Sequence, residues 1–121
     1  MKIGTPTETF DGENRVAMTP DSATALQKLG HACVIQSGAG LKAGFSDAAY
    51  AAAGVEVVPT ADALWSAADV IAKVRPPSEA EVARLREGQT LISFFYPGAN
   101  EALMKQAAET GASVIAMDMV P

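Results

Sequence analysis

The 121-residue sequence has one cysteine, Cys33, and one histidine, His31. A lone cysteine excludes an internal disulfide and a cysteine-rich metal centre. A lone histidine leaves a metal ion to carboxylates, and these do not cluster at ligand spacing, so no metal site is expected. No serine or cysteine nucleophile has a histidine partner in sequence, and a single histidine argues against a catalytic triad. Positive charge is also in short supply: nine Lys and Arg against fourteen Asp and Glu give a net charge of −5. That balance argues against nucleic acid or an anionic membrane surface as a direct partner, since both need clustered cations. No stretch approaches the roughly 20 apolar residues that span a bilayer, and the opening MKIGTPTETF has no apolar run of the signal-peptide kind. A soluble protein of a reducing compartment, or part of one, is expected.

What is present is ordinary globular composition, 49% hydrophobic and 19% charged, enough for a real core. Short β-rich runs alternate with helical patterns throughout. Strands are expected at Lys2–Pro6, Cys33–Ser37, Val55–Val58, Val70–Arg75, Thr90–Phe95 and Ser113–Asp118. Several, such as CVI, LISFF and SVIAM, are continuous apolar runs, the pattern of strands buried on both faces of a parallel sheet. Thr19-Pro20 opens the first helix and Gly30 closes it. Ser46 and Gly54 bound the second, and Thr60 caps a third that carries Leu64 and Trp65 inward. Ser78 and Glu81 form a capping box for the fourth, with Val82 and Leu85 on one face and Gly88 as its stop. Asn100 is expected to cap the fifth, with Leu103, Met104 and Ala107 inward and Gly111 at its end. Trp65, Phe94 and Phe95 are expected in the core.

This alternation predicts an open α/β fold: a doubly wound, mostly parallel sheet of about six strands, Rossmann- or flavodoxin-like. Residues 1–121 read as one domain. Its sixth strand runs into Met119-Val120-Pro121 without a covering helix, which fits either a natural edge strand or a chain that stops early.

In such a sheet ligands gather beyond the carboxyl ends of the strands. The polar loop TETFDGENR after the first strand ends at Arg15, the fourth strand ends in Lys73-Val74-Arg75, and the fifth in Tyr96-Pro97-Gly98. Lys73 and Arg75, two apart in an extended strand, would share a face. With Arg15 they could form a cationic pocket for a carboxylate or phosphate. Alternatively, Glu8, Glu13 or Asp118 neutralises them as plain salt bridges. Gly38-Ala39-Gly40-Leu41-Lys42-Ala43 matches the GxGxxG/A dinucleotide pattern literally, but no helix opens at the glycines and it follows the second strand. No acidic strand-end residue lies about 20 positions on, and Glu56 comes too early. The motif reads as a tight-packing turn. His31 reads as a solvated turn residue and Cys33 as buried filler.

The strings MKIGTPTET, ENRVAMTPDSATALQKLGH and VIQSGAG, then FSDAAYAAAGVEVV, DVIAKVRPP and SVIAMDMVP, carry a further signal in their order. They resemble the opening of the family that joins alanine dehydrogenase with the NAD(H)-binding subunit of proton-translocating transhydrogenase. In alanine dehydrogenases the counterpart of Arg15 contacts the substrate carboxylate. A lysine stands at the position of Arg75, and a catalytic histidine at that of Tyr96. A phenol, whose reference pKa is near 10, is a poor acid–base catalyst at neutral pH.

SFFYPGANEALMKQAAETGASVIAMDMVP resembles the transhydrogenase branch instead. That resemblance implies a scaffold part of a subunit passing hydride between its own NAD(H) and NADP(H) on a partner subunit, coupled to proton translocation. The NAD-binding Rossmann domain would lie outside this chain, which would be incomplete and inactive alone, with no catalytic or cofactor-binding residue. Arg15, Lys73, Arg75 and Tyr96 are the candidates for substrate or anion binding. The implied partners are the transhydrogenase beta subunit and membrane domain, with a homodimer. The implied location is peripheral, on the cytoplasmic face of the inner membrane, without insertion. An alanine-dehydrogenase-like oxidoreductase and a stand-alone carboxylate- or anion-binding module are the alternatives.

Overall fold

A computed structural model of the protein describes residues 1–119. Six strands form one sheet: β1 (Lys2–Thr5), β2 (Ala32–Gln36), β3 (Glu56–Val58), β4 (Val70–Ala72), β5 (Thr90–Ser93) and β6 (Ser113–Ala116). Their order is β3-β2-β1-β4-β5-β6, and every neighbouring pair runs parallel. Among the described residues five helices connect them: α1 (Pro20–Lys28), α2 (Asp47–Ala52), α3 (Ala61–Ala67), α4 (Glu79–Val82) and α5 (Pro97–Glu109). The doubly wound parallel sheet expected from the apolar runs is therefore present with all six strands.

The two windings use opposite faces. Cys33 and Ile35 of β2 point to α1 and α2 and join Met18, Ala23, Tyr50 and Val55 in one buried cluster. Val34, between them, points the other way, into a larger cluster with Leu64, Trp65, Ile71, Leu91 and Phe95. Alternation along a strand places these side chains on opposite faces. Gly4 of β1 permits the close approach of α3. A Cβ there would lie 2.7 Å from the Ala68 Cβ and 3.2 Å from Leu64 Cδ2. Beyond α3, Gln89 Nε2 donates to the Trp65 and Ala68 carbonyls at 2.8 and 2.9 Å, and Arg86 donates to the same two. These bonds satisfy carbonyls that the helix end leaves without intrahelical partners.

Among the described residues no helix packs on the first face beyond β1. Ile115, Phe94 and Met117 are exposed there, and Ile92 is half-buried. Phe94 thus departs from the core placement expected of it, while Trp65 and Phe95 are fully buried. No helix among the described residues is long and apolar enough to cross a membrane.

Several boundaries differ from those read in the sequence. β4 stops at Ala72; the Lys73 N–H still donates to the Ile92 carbonyl at 3.0 Å, but Val74 and Arg75 form a bend, so Lys73 and Arg75 do not share an extended strand. The cause is Glu8, whose carboxylate accepts the N–H groups of Val74 at 2.7 Å and Arg75 at 3.1 Å. α4 ends at Val82, so the buried Leu85 lies past it. β6 ends at Ala116 and passes into a 3-10 turn over Met117–Met119; Val120 and Pro121 lie outside the described residues. α5 begins at Pro97, not after Asn100. Asn100 sits at a kink inside it (φ −131°, ψ 26°), its amide donating to the Phe95 carbonyl at 2.7 Å.

Candidate functional site

The strand order reverses direction between β1 and β4, and the chain leaves these strands toward opposite faces. A cleft of about 710 Å³ lies there, lined by Phe10 after β1, Lys73 and Arg75 after β4, and Tyr96 and Asn100 after β5. It occupies the place where this topology opens a crevice for ligands.

Glu13 organises the rim. Its side chain is 3% exposed. Oε2 accepts from the Arg15 backbone N–H at 2.8 Å and from Arg15 Nε at 3.0 Å. Oε1 accepts from Arg15 Nη2 at 2.9 Å and from Arg75 Nε at 2.8 Å. Two bonds to each oxygen fill the carboxylate's accepting capacity. The Arg15 hydrogen bonds, aided by Arg75 and opposed by lost hydration, hold the Glu13 carboxyl well below the usual carboxylate range. The same contact raises the Arg15 guanidinium further, with a smaller push from the Tyr96 phenol.

Arg75 is stacked as well as paired. Its Cζ lies 4.2 Å from the Phe10 ring centroid and 5.7 Å from that of Tyr96, within cation–π range. Tyr96 stacks in turn on Phe94, with centroids 6.3 Å apart and planes 22° apart. The Tyr96 backbone is left-handed (φ 52°), unusual for a bulky residue. Asp118 holds it there, its carboxylate accepting the N–H of Phe95 at 3.1 Å and of Tyr96 at 2.6 Å. Lost hydration opposes ionisation of Asp118, but these backbone N–H groups keep its carboxyl below the ordinary value.

Lys73 lies beneath this rim. Its ammonium group meets Glu8 at 3.2 Å and Glu81 at 3.4 Å, and donates to the Arg75 and Pro76 carbonyls. The structure therefore places Arg75 and Tyr96 in the cleft lining, joins Arg15 to Arg75 through Glu13 outside that lining, and ties Lys73 internally. Of the carboxylates named as neutralising partners, Glu8 and Glu13 act as such, whereas Asp118 serves the backbone. Phe10 and the central position of Glu13 were not legible in the sequence. An isolated aromatic in a polar loop was the available signal for Phe10.

The glycine turn after β2 does not fit a dinucleotide pyrophosphate. Gly38 N–H donates to Asp47 at 2.9 Å, and the N–H groups of Ala39, Leu41 and Ala43 go to nearby carbonyls. Asp47 also takes the Ser37 hydroxyl, and these two donors keep its carboxyl ionised below the usual range. A Cβ at Gly40 would fall 2.6 Å from the Tyr50 ring. The buried Tyr50 hydroxyl donates to the Met18 carbonyl at 2.7 Å. The motif thus packs a tyrosine. Cys33 is buried, and lost hydration raises its thiol pKa. His31, at the opposite end of β2 from the cleft, is half-buried rather than solvated, with Nδ1 lacking a partner among the described residues.

Residues 4–121 match the family model described as "Alanine dehydrogenase/PNT, N-terminal domain". The chain is 68% identical over its whole length to NAD(P) transhydrogenase subunit alpha of Cereibacter sphaeroides, covering 23% of that protein. It is 42% identical over 99% of its length to alanine dehydrogenase of Mycobacterium tuberculosis, covering 32%. The solved transhydrogenase of Sinorhizobium meliloti superposes with a TM-score of 0.93 at 34% identity, over all of this chain and 36% of that one. The chain thus spans about a quarter to a third of the length of the curated relatives it matches.

Proposed function

The chain belongs to the alanine dehydrogenase/PNT N-terminal domain family, and from that premise we propose that it is the N-terminal α/β part of a transhydrogenase alpha subunit. In the intact assembly, hydride passes between NAD(H) on this subunit and NADP(H) on a beta subunit, coupled to proton translocation through a membrane domain. The assembly is a homodimer in its alpha subunits and lies on the cytoplasmic face of the inner membrane. This chain forms one wall of the nucleotide cleft. Its glycine turn is committed to Tyr50 and Asp47, so NAD(H) is held by the Rossmann domain of the longer protein, and residues 1–121 alone are inactive. The cofactors supply the hydride chemistry; the protein positions them.

The observation that carries this reading over amino-acid oxidation is Tyr96 at the cleft rim beside Arg75. Oxidation of an amino acid needs a group at that rim that exchanges protons at neutral pH. A phenol does so poorly, and the chain's histidine stands at the other end of the sheet. The test is an assay of the full-length subunit with pyruvate, ammonium and NADH, and of the intact assembly with NADPH and an NAD analogue. Transhydrogenation without pyruvate-dependent NADH oxidation is expected; robust pyruvate-dependent oxidation overturns the proposal.

A second reading concerns the cleft itself. Among the described residues the two terminal amino groups of Arg75 have no hydrogen-bond partner, and Arg75 lines the cleft. Arg75, flanked by Arg15 and Tyr96, offers these groups to an oxyanion, and Lys73 supports the rim from below. Calorimetry of residues 1–121 separates the two ligands: NADH binds weakly or not at all, and tight saturable NADH binding overturns the assignment of the nucleotide to the longer protein.

A further inference from the structure

We propose that Glu13 is a positioning residue for this cleft: its buried carboxylate locks Arg15 and Arg75 into one unit and fixes Arg75 for an oxyanion ligand. The inference rests on the oxyanion reading above and adds to it the residue that sets the geometry.

Arg15 and Arg75 carry like charges and leave different strand ends, so without an anion between them they separate into solvent. Glu13 supplies that anion from inside the fold. It grips Arg15 side-on through Nε and Nη2, and Arg75 through Nε alone. The difference matters. Arg15 has spent the edge that forks onto a carboxylate, whereas Arg75 keeps both terminal amino groups. One carboxylate against two guanidiniums leaves this trio with net positive charge, which the Asp11 carboxylate in the cleft lining offsets in part. Phe10 and Tyr96, on the guanidinium of Arg75, limit the remaining freedom of its plane. Preorganisation of this kind strengthens binding by removing the ordering cost that a free arginine side chain carries.

The experiment is a 15N NMR titration of the 121-residue chain with inorganic phosphate and, separately, with acetate, following the Nε–H signals of Arg15 and Arg75. The wild-type chain is expected to shift saturably at Arg75 with at least one probe, and the two arms show whether phosphate or carboxylate is preferred. Glu13→Gln keeps the size and removes the charge. With its backbone spectrum otherwise retained, it should broaden both Nε–H signals together and bind about tenfold more weakly. Glu13→Asp keeps the charge one methylene further back and should fall between them. If Glu13→Gln does not fold, Glu13→Asp takes its place, and affinity equal to wild type then overturns the inference. A wild-type chain that responds to neither probe sinks the oxyanion reading and this inference with it. A wild-type chain that binds, beside a folded Glu13→Gln that binds as well, sinks this inference alone.

Discussion

Glu8 and Lys73 pair at 3.2 Å with side chains only 3% and 1% exposed, joining the loop after β1 to the exit of β4. A buried ion pair owes its persistence to the company it keeps. Here Glu81, two backbone carbonyls and two backbone N–H groups complete the set. Lys73→Met leaves two carboxylates facing each other without a cation. The expected cost is about 3–5 kcal/mol of folding stability, measured as a lower midpoint in urea unfolding. A midpoint within error of wild type would mean the pair contributes nothing.

Gly4→Ala tests the contact between β1 and α3. The added methyl would sit 2.7 Å from the Ala68 Cβ, which belongs to a short, rigid side chain. Backbone must move, at about 1–3 kcal/mol. Differential scanning calorimetry should show a lowered Tm, and Gly4→Ala combined with Ala68→Gly should regain part of it.

Acid dependence follows from Glu13. Its folded-state pKa lies below the ordinary 4.5, so its contribution to stability is complete above that value and fades as pH falls through the lowered pKa. The stability gap between wild type and Glu13→Gln should be constant above about pH 5.5 and narrow progressively below pH 4.5. Urea unfolding at a series of pH values measures it. A gap that widens in acid would contradict the sign.

The uncovered sheet face predicts association of the isolated chain. Phe94, Ile115 and Met117 are 36%, 42% and 46% exposed on adjacent strand ends, and contiguous apolar surface of this kind seeks a partner. Sedimentation velocity of residues 1–121 should show concentration-dependent self-association, and Ile115→Lys should shift the population to monomer. A wild-type chain that stays monomeric at high concentration would refute this.

The sheet was legible because buried parallel strands read as apolar runs, and CVI, LISFF and SVIAM each mark one. Strand ends were less so, since ladder hydrogen bonds stop where another acceptor wins. Glu8 wins at Val74 and Arg75 from more than sixty positions away. The start of α5 was misplaced for a related reason. Asn100 has the chemistry of a cap, yet Pro97 already fixes a helical first position and Asn100 spends its amide on Phe95. The left-handed backbone of Tyr96 leaves no trace in a local pattern, because it depends on Asp118. At the rim, the sequence supplied the cations and the carboxylates to neutralise them. Which carboxylate met which cation was a question of loop path.

The reversal of strand order between β1 and β4 has a consequence for how this domain could change over time. The hollow exists because connections depart to opposite sides, so no lining side chain is needed to keep it open. Exchanging Phe10, Arg75 or Tyr96 alters what is welcomed there, while the opening itself persists. Chemistry at this address can be rewritten without rebuilding the architecture that hosts it.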